Sequence, residues 1–124
     1  MERVTLVVDA ANVVGSVPDG WWRDRKGAAE RLRDRLVPYA EGGVDGVPGP
    51  LDVVLVVEGQ ARGVSSVPGV RVESAPGSGD DRIVELVAET AGPCLVVTAD
   101  RALRARVTAH GATCTGPRTV RPAP

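Results

Sequence analysis

Apolar residues in this chain follow two rhythms that alternate along its length. Val4 to Val8 is a nearly unbroken apolar run, interrupted only by Thr5, which predicts a strand buried on both faces. From Arg23 to about Val37 the rhythm changes. Ala29, Leu32, Leu36 and Ala40 recur at spacings of three or four, which predicts a helix that Pro38 should stop. The Gly/Pro-rich stretch Glu41 to Pro50 then reads as a mobile connection. Leu51 to Val57 is a second buried strand and Val70 to Glu73 a short third one. A helix over about Asp80 to Ala91 follows, with Ile83, Val84 and Val87 inward. Cys94 to Val97 is a fourth strand, and Asp100 to His110 a helix closed by Gly111. Ala112 to Thr115 reads as a weaker fifth strand.

Continuous Val/Leu strands alternating with helices predict a three-layer α/β/α sandwich with a central, mostly parallel sheet of four to five strands. One domain is expected over residues 1–115. Residues 116–124 read as a C-terminal tail with little reason to fold.

Composition narrows this only in places. The 124 residues suit one domain, and no apolar run approaches the length of a membrane span. Asp9 interrupts the first apolar run before it could serve as a secretory signal. Trp21, Trp22 and Tyr39 are the whole aromatic complement, so aliphatic side chains must fill the core. Cys94 and Cys114 lie in apolar surroundings and read as reduced thiols, which suits the cytoplasm. With His110 they fit no zinc spacing. His110 instead reads as a favourable charge at a helix C-terminus. The net charge of −1 excludes a general basic coat for nucleic acid.

The chemistry lies where acids meet strand ends. Asp9 directly follows the first strand, Asp80 and Asp81 open the helix after the third, and Asp100 follows the fourth. In an open parallel sheet all these positions fall at the carboxyl edge, where ligands of such sheets bind. Carboxylates gathered there repel unless a hard divalent cation joins them, and an all-oxygen set suits Mg2+ or Mn2+. Each acid also has a plainer role open to it. Asp100 could cap its helix, Asp80 and Asp81 favour the helix dipole, and Ser78 with Asp81 fits a capping box. Asn12 is either an uncharged ligand or an Asx turn. Glu58, after the second strand, is a supporting candidate that could instead face solvent or pair with Arg62.

Three segments together resemble the NYN domains, in particular the bacterial YacP-like branch of the PIN-like nucleases. Val8-Asp9-Ala10-Ala11-Asn12-Val13-Val14-Gly15 resembles the opening D-x-x-N element. Gly79-Asp80-Asp81-Arg82-Ile83-Val84 resembles the second acidic element, and Val96-Val97-Thr98-Ala99-Asp100-Arg101-Ala102-Leu103 the third. The resemblance spans about Arg3 to Thr115. It implies a PIN-like, Rossmannoid fold and a divalent-metal-dependent endoribonuclease. Asp9, Asp80 and Asp100 would be catalytic metal ligands, joined at the metal by Asp81 and supported by Asn12; Glu58 is added as a supporting candidate from its strand-end position alone. Ala99 departs from the Ser usual before the third Asp.

RNA, single-stranded or structured, is the partner so implied; a ribosome or protein partner leaves no signature in the residues. With Asp9, Asp80, Asp81 and Asp100 set aside, the rest of the chain carries +3, enough for salt-sensitive binding of a polyanion. Arg23, Arg25, Arg62 and Arg101 are candidates for phosphate contacts, and Trp22, with Trp21 beside it, for stacking on a base. Two other readings compete. A catalytically silent PIN-like module would bind RNA or protein without cutting. A receiver- or phosphatase-like domain would bind Mg2+, but the lone lysine, Lys26, lies early in the chain and no D-x-D occurs.

Overall fold

The computed structural model describes residues 3–121. In chain order the elements are β1 (Thr5–Asp9), α1 (Ala10–Gly15), α2 (Arg25–Gly42), β2 (Gly43–Val44), β3 (Val47–Pro48) and β4 (Asp52–Val57). There follow β5 (Val70–Ser74), α3 (Gly79–Glu89), β6 (Cys94–Val97), α4 (Arg101–Thr108) and β7 (Thr113–Thr115). Single 3-10 turns occur at Trp21–Arg23, Gly59–Ala61 and Pro117–Thr119.

Five strands form the main sheet in the order β5-β4-β1-β6-β7, with every neighbouring pair parallel. The strand alternation divides the core between two faces. Leu6 and Val8 of β1, Val53, Leu55 and Val57 of β4, and Leu95 and Val97 of β6 pack with α1 and α2. Val7, Val54, Val56 and Val96 point the other way, onto Ile83, Leu86 and Val87 of α3 and Leu103 and Val107 of α4. Each fully buried Val or Leu contributes about 1.5–3 kcal/mol, so both faces of the sheet must be covered, as the unbroken apolar strands require.

Several sequence expectations need correcting. α2 runs through Pro38 to Gly42. Pro38 lies on the exposed side, and burial of Leu36 and Ala40 on either side of it carries the helix past the missing N–H. The helix stops at Gly43, whose φ of 77° suits glycine. The stretch Glu41 to Pro50 is not an open loop: β2 and β3 pair there as a small antiparallel hairpin. α1 is too short to leave a helical rhythm in the sequence; its six residues follow β1 with no intervening loop.

The stretch expected to be an unfolded tail also packs as far as Arg121. Val120 is fully buried in the α1/α2 face of the core. Arg121 donates to the carbonyls of Val13 and Val14 at 3.4 and 3.1 Å, satisfying the open end of α1, and pairs with Asp19. Residues 122–124 of that tail lie outside the described residues.

Candidate active site at the carboxyl edge of the sheet

The chain leaves β1 toward β4 and β5 on one side, then crosses to β6 and β7 on the other. The order therefore reverses between β1 and β6, and a crevice opens outside their carboxyl ends. Asp9 is the last residue of β1, and Thr98 directly follows β6. They meet across that boundary: Thr98 Oγ1 donates to Asp9 Oδ2 at 2.9 Å.

Asp9 is also the N-cap of α1, with extended φ and ψ of −78° and 94°, but its cap bond from the Asn12 N–H is long at 3.5 Å. The side chain is only 4% exposed. Burial pushes its carboxyl up to about 6. The bonds from Thr98 and Asn12 oppose that rise, while the charges of Asp80 and Glu58 add to it.

Asn12 reaches the other way. Its Oδ1 accepts from the Ala99 N–H at 2.8 Å and so ties α1 to the turn between β6 and α4. The same turn is fixed by Arg104, whose Nε donates to the Thr98 carbonyl at 2.7 Å. Thr98 Oγ1 accepts from the Asp100 N–H at 3.2 Å. Asp100 caps α4, its Oδ1 accepting from the Leu103 N–H at 2.9 Å.

Asp80 lies in the first turn of α3, and its carboxyl is raised by partial burial and then by the charges of Asp100 and Glu58. Arg106 offsets part of this. Among the described residues no hydrogen bond or ion pair holds the Asp80 carboxylate. Asp81 is turned outward: its N–H is taken by Ser78, the half of the expected capping box that forms, while its carboxylate pairs with Arg106 at 3.0 Å instead of returning to Ser78. Glu58 neither pairs with Arg62 nor faces open solvent. Its Oε2 accepts from the Gly79 N–H at 2.8 Å, holding the start of α3 against the end of β4. A Cβ on Gly79 would come within 3.2 Å of that carboxyl, so glycine permits the approach.

Asp9 thus feels the charges of Asp80 and Glu58, and Asp80 those of Asp100, Glu58 and, least, Asp81, whose own carboxylate is paired with Arg106. Their all-oxygen chemistry fits Mg2+ or Mn2+. Among the described residues, however, no three Asp, Glu, His or Cys side chains are arranged to hold a metal ion as they stand.

The basic and aromatic candidates lie along the flank. A cleft of about 420 Å3 opens between α1, the start of α2 and the turn after β4. Trp21 and Arg25 line it; Trp22 does not. Trp22 is 48% exposed, with Arg23 over its ring at 5.9 Å. The guanidinium of Arg62 is directed to the carbonyls of Gly59 and Pro76, while Arg101 is exposed beside Asp100. Reasoning from sequence overlooked Thr98 and Arg104. Thr98 had a signal: it is the polar residue directly after an apolar strand, level with Asp9.

No protein-family profile matches the chain, and no curated protein sequence matches it. Solved structures do. The crystal structure of Rae1 (YacP) from Bacillus subtilis superposes with a TM-score of 0.73 at 20% identity, covering 98% of this chain and 72% of that one. The chain has the Rae1 (YacP) fold. The W164L mutant of Rae1 (YacP) gives a TM-score of 0.71 at 18% identity, covering 97% of this chain and 73% of that one. Among the described residues, no helix is long and apolar enough to cross a membrane.

Proposed function

We propose that this chain is a divalent-metal-dependent endoribonuclease of the YacP-like NYN branch, acting at the carboxyl edge of its sheet. The observation that carries the reading is the meeting of two raised carboxyls at the β1/β6 crevice: burial, and then the charges of Asp80 and Glu58, lift Asp9 to about 6, and partial burial, then the charges of Asp100 and Glu58, raise Asp80. A buried carboxylate opposed by its neighbours is costly to a fold, and a cation is the usual means of relieving it. The three sequence elements that resemble the family end at this same edge, and the Rae1 (YacP) fold agrees with them.

In this reading Asp9, Asp80 and Asp100 hold Mg2+ or Mn2+, with Glu58 supporting from the end of β4. The ion, when bound, offsets the carboxylates and polarises a phosphodiester oxygen. The rest is positioning by the chain. Thr98 fixes the Asp9 carboxylate, and Asn12 and Arg104 hold the turn that carries Asp100. Arg101, Arg23 and Arg25 attract phosphates, and Trp22 offers an exposed ring beside them. Arg62 shapes the loop it is bonded to, and Asp81 neutralises Arg106. The free thiols of Cys94 and Cys114 suit a cytoplasmic setting.

One observation favours the second reading, a silent RNA- or protein-binding module: the carboxylates are not drawn into a closed ligand set. Incubating the protein with single-stranded and structured RNA in Mg2+, Mn2+ or EDTA separates the two. Internal cuts that need the ion support the nuclease. Retained RNA without cuts under any ion supports the module.

A further inference from the structure

We infer that the cleft lined by Trp21 and Arg25 is a pocket for one unpaired nucleobase of an RNA strand lying across the carboxyl edge. The inference rests on the nuclease reading for its choice of ligand but not for its test.

The cleft is built for a flat, partly apolar group. Its floor is made of short side chains, Ala10, Ala11 and Ala29, where α1 meets the start of α2. Its wall is a stacked pair, with the Arg25 guanidinium 4.9 Å from the Trp21 ring centre. Trp21 is packed against the core and braced edge-on by Trp22, with ring centres 5.8 Å apart and planes at 86°. A ring held in this way keeps its orientation without a ligand, so little ordering is lost when a base stacks. Bases stack on aromatic rings and on guanidinium planes alike.

Polar side chains line the cleft at Arg25, Glu58 and Gln60. Gln60, in the turn after β4, offers an amide that can both donate and accept along a base edge. Nothing lies within 4 Å of where a Cβ on Gly59 would stand, so that side of the cleft is open to an entering group. A volume near 420 Å3 accommodates a single nucleoside-sized group, and a base held in a duplex would first have to unpair and unstack at a cost of a few kcal/mol, which favours an unpaired one.

The cleft is also continuous with the carboxylate edge. Glu58 lines it and at the same time holds the Gly79 N–H, one residue before Asp80. A nucleotide seated on Trp21 would therefore have its backbone directed along the acids.

The test is binding in EDTA, where cutting cannot contribute. Short single-stranded RNAs, each abasic at a different position, are titrated against wild type, Trp21→Ala, Trp22→Ala and Ala11→Leu. In wild type and Trp22→Ala, one abasic position should weaken binding about tenfold. Trp21→Ala should bind the intact strand about tenfold more weakly and be indifferent to the abasic site. Ala11→Leu, at an exposed helical position that lines the cleft, narrows it while keeping Trp21 and should behave the same way even if Trp21→Ala fails to fold. An abasic penalty that survives in Ala11→Leu, or no penalty at any position in wild type, overturns the pocket. No cutting in the separate Mg2+ and Mn2+ incubations, with the abasic profile in EDTA intact, would count against the nuclease reading alone.

Discussion

The hydroxyl of Thr98 donates to the Asp9 carboxylate at 2.9 Å while accepting from the Asp100 N–H at 3.2 Å. A single oxygen therefore sets the positions of two acids from different segments of the chain. Thr98 is fully buried, and the other bond to Asp9 is long, so this hydroxyl is the main protein partner of a buried charge.

Thr98→Val keeps the shape and removes that partner. At neutral pH the protein should lose about 1–3 kcal/mol, the cost of leaving a buried acceptor unsatisfied. Thr98→Ser should restore most of it. Denaturant unfolding of the two variants checks this, and equal stability of wild type and Thr98→Val would deny Thr98 that role.

The raised carboxyl of Asp9 fixes the sign of a pH effect. In the folded protein Asp9 titrates near 6, against an ordinary 3.8, so the folded state holds its proton more tightly. Stability from this group is full below about pH 4 and is lost as pH rises toward 6, ending on the order of 3 kcal/mol lower by pH 7. Asp9→Asn should flatten that segment of the stability profile. It should also stabilise the ion-free protein at pH 7 by about 1–2 kcal/mol, since its amide oxygen can still accept from Thr98. Melting curves at pH 4, 5, 6 and 7 in EDTA measure both.

Metal removal should act on the same group. Mn2+ should raise the melting temperature of wild type through mass action and chelation should reverse it, while Asp9→Asn should respond to neither. An equal shift in wild type and Asp9→Asn would mean that the ion binds elsewhere.

The segment beyond β7 makes a separate prediction. Val120→Ala removes side-chain volume from a fully buried position and should cost about 2 kcal/mol, whereas Arg118→Ala, at an exposed position, should cost little. Thermal or denaturant unfolding distinguishes a packed segment from a free tail.

In the proposed reading, Arg23 beside the cleft and Arg25 in its wall attract phosphates. Replacing both with Ala should weaken RNA binding and reduce the slope of log affinity against log salt by roughly 0.7 for each phosphate that these side chains neutralise. An unchanged slope would return them to a merely solvated surface.

Much of the fold was legible because the strands are buried on both faces. The runs at Val4 to Val8, Leu51 to Val57 and Cys94 to Val97 leave no choice of face, and their alternation with helices implies parallel pairing. What sequence hid was decided by packing between distant segments. α2 passes Pro38 because Leu36 and Ala40 are buried on either side of it, which no local rule reveals. Val120 reads as part of an unfolded tail until its place against α1 and α2 is known. At the site, the strand-end acids were visible because a charge ending an apolar run is rare, and the structure brings Asp9, Asp80 and Asp100 to one edge. Asp81 and Asp80 are adjacent in sequence, and only the position of Arg106 on α4 distinguishes the free acid from the paired one. Trp21 and Trp22 posed the same problem, resolved by a single 3-10 turn that points one ring inward.

The most direct measurement is the rate of internal RNA cleavage by wild type and Asp9→Asn at pH 7.5, with Mn2+ or with EDTA, each protein first shown to be folded. A metal-dependent nuclease centred on Asp9 predicts cleavage by wild type that requires Mn2+, and at least a hundredfold slower cleavage, on the order expected for a lost ligand, by a stable Asp9→Asn. Equal rates in the two proteins, or cleavage that persists in EDTA, would contradict it.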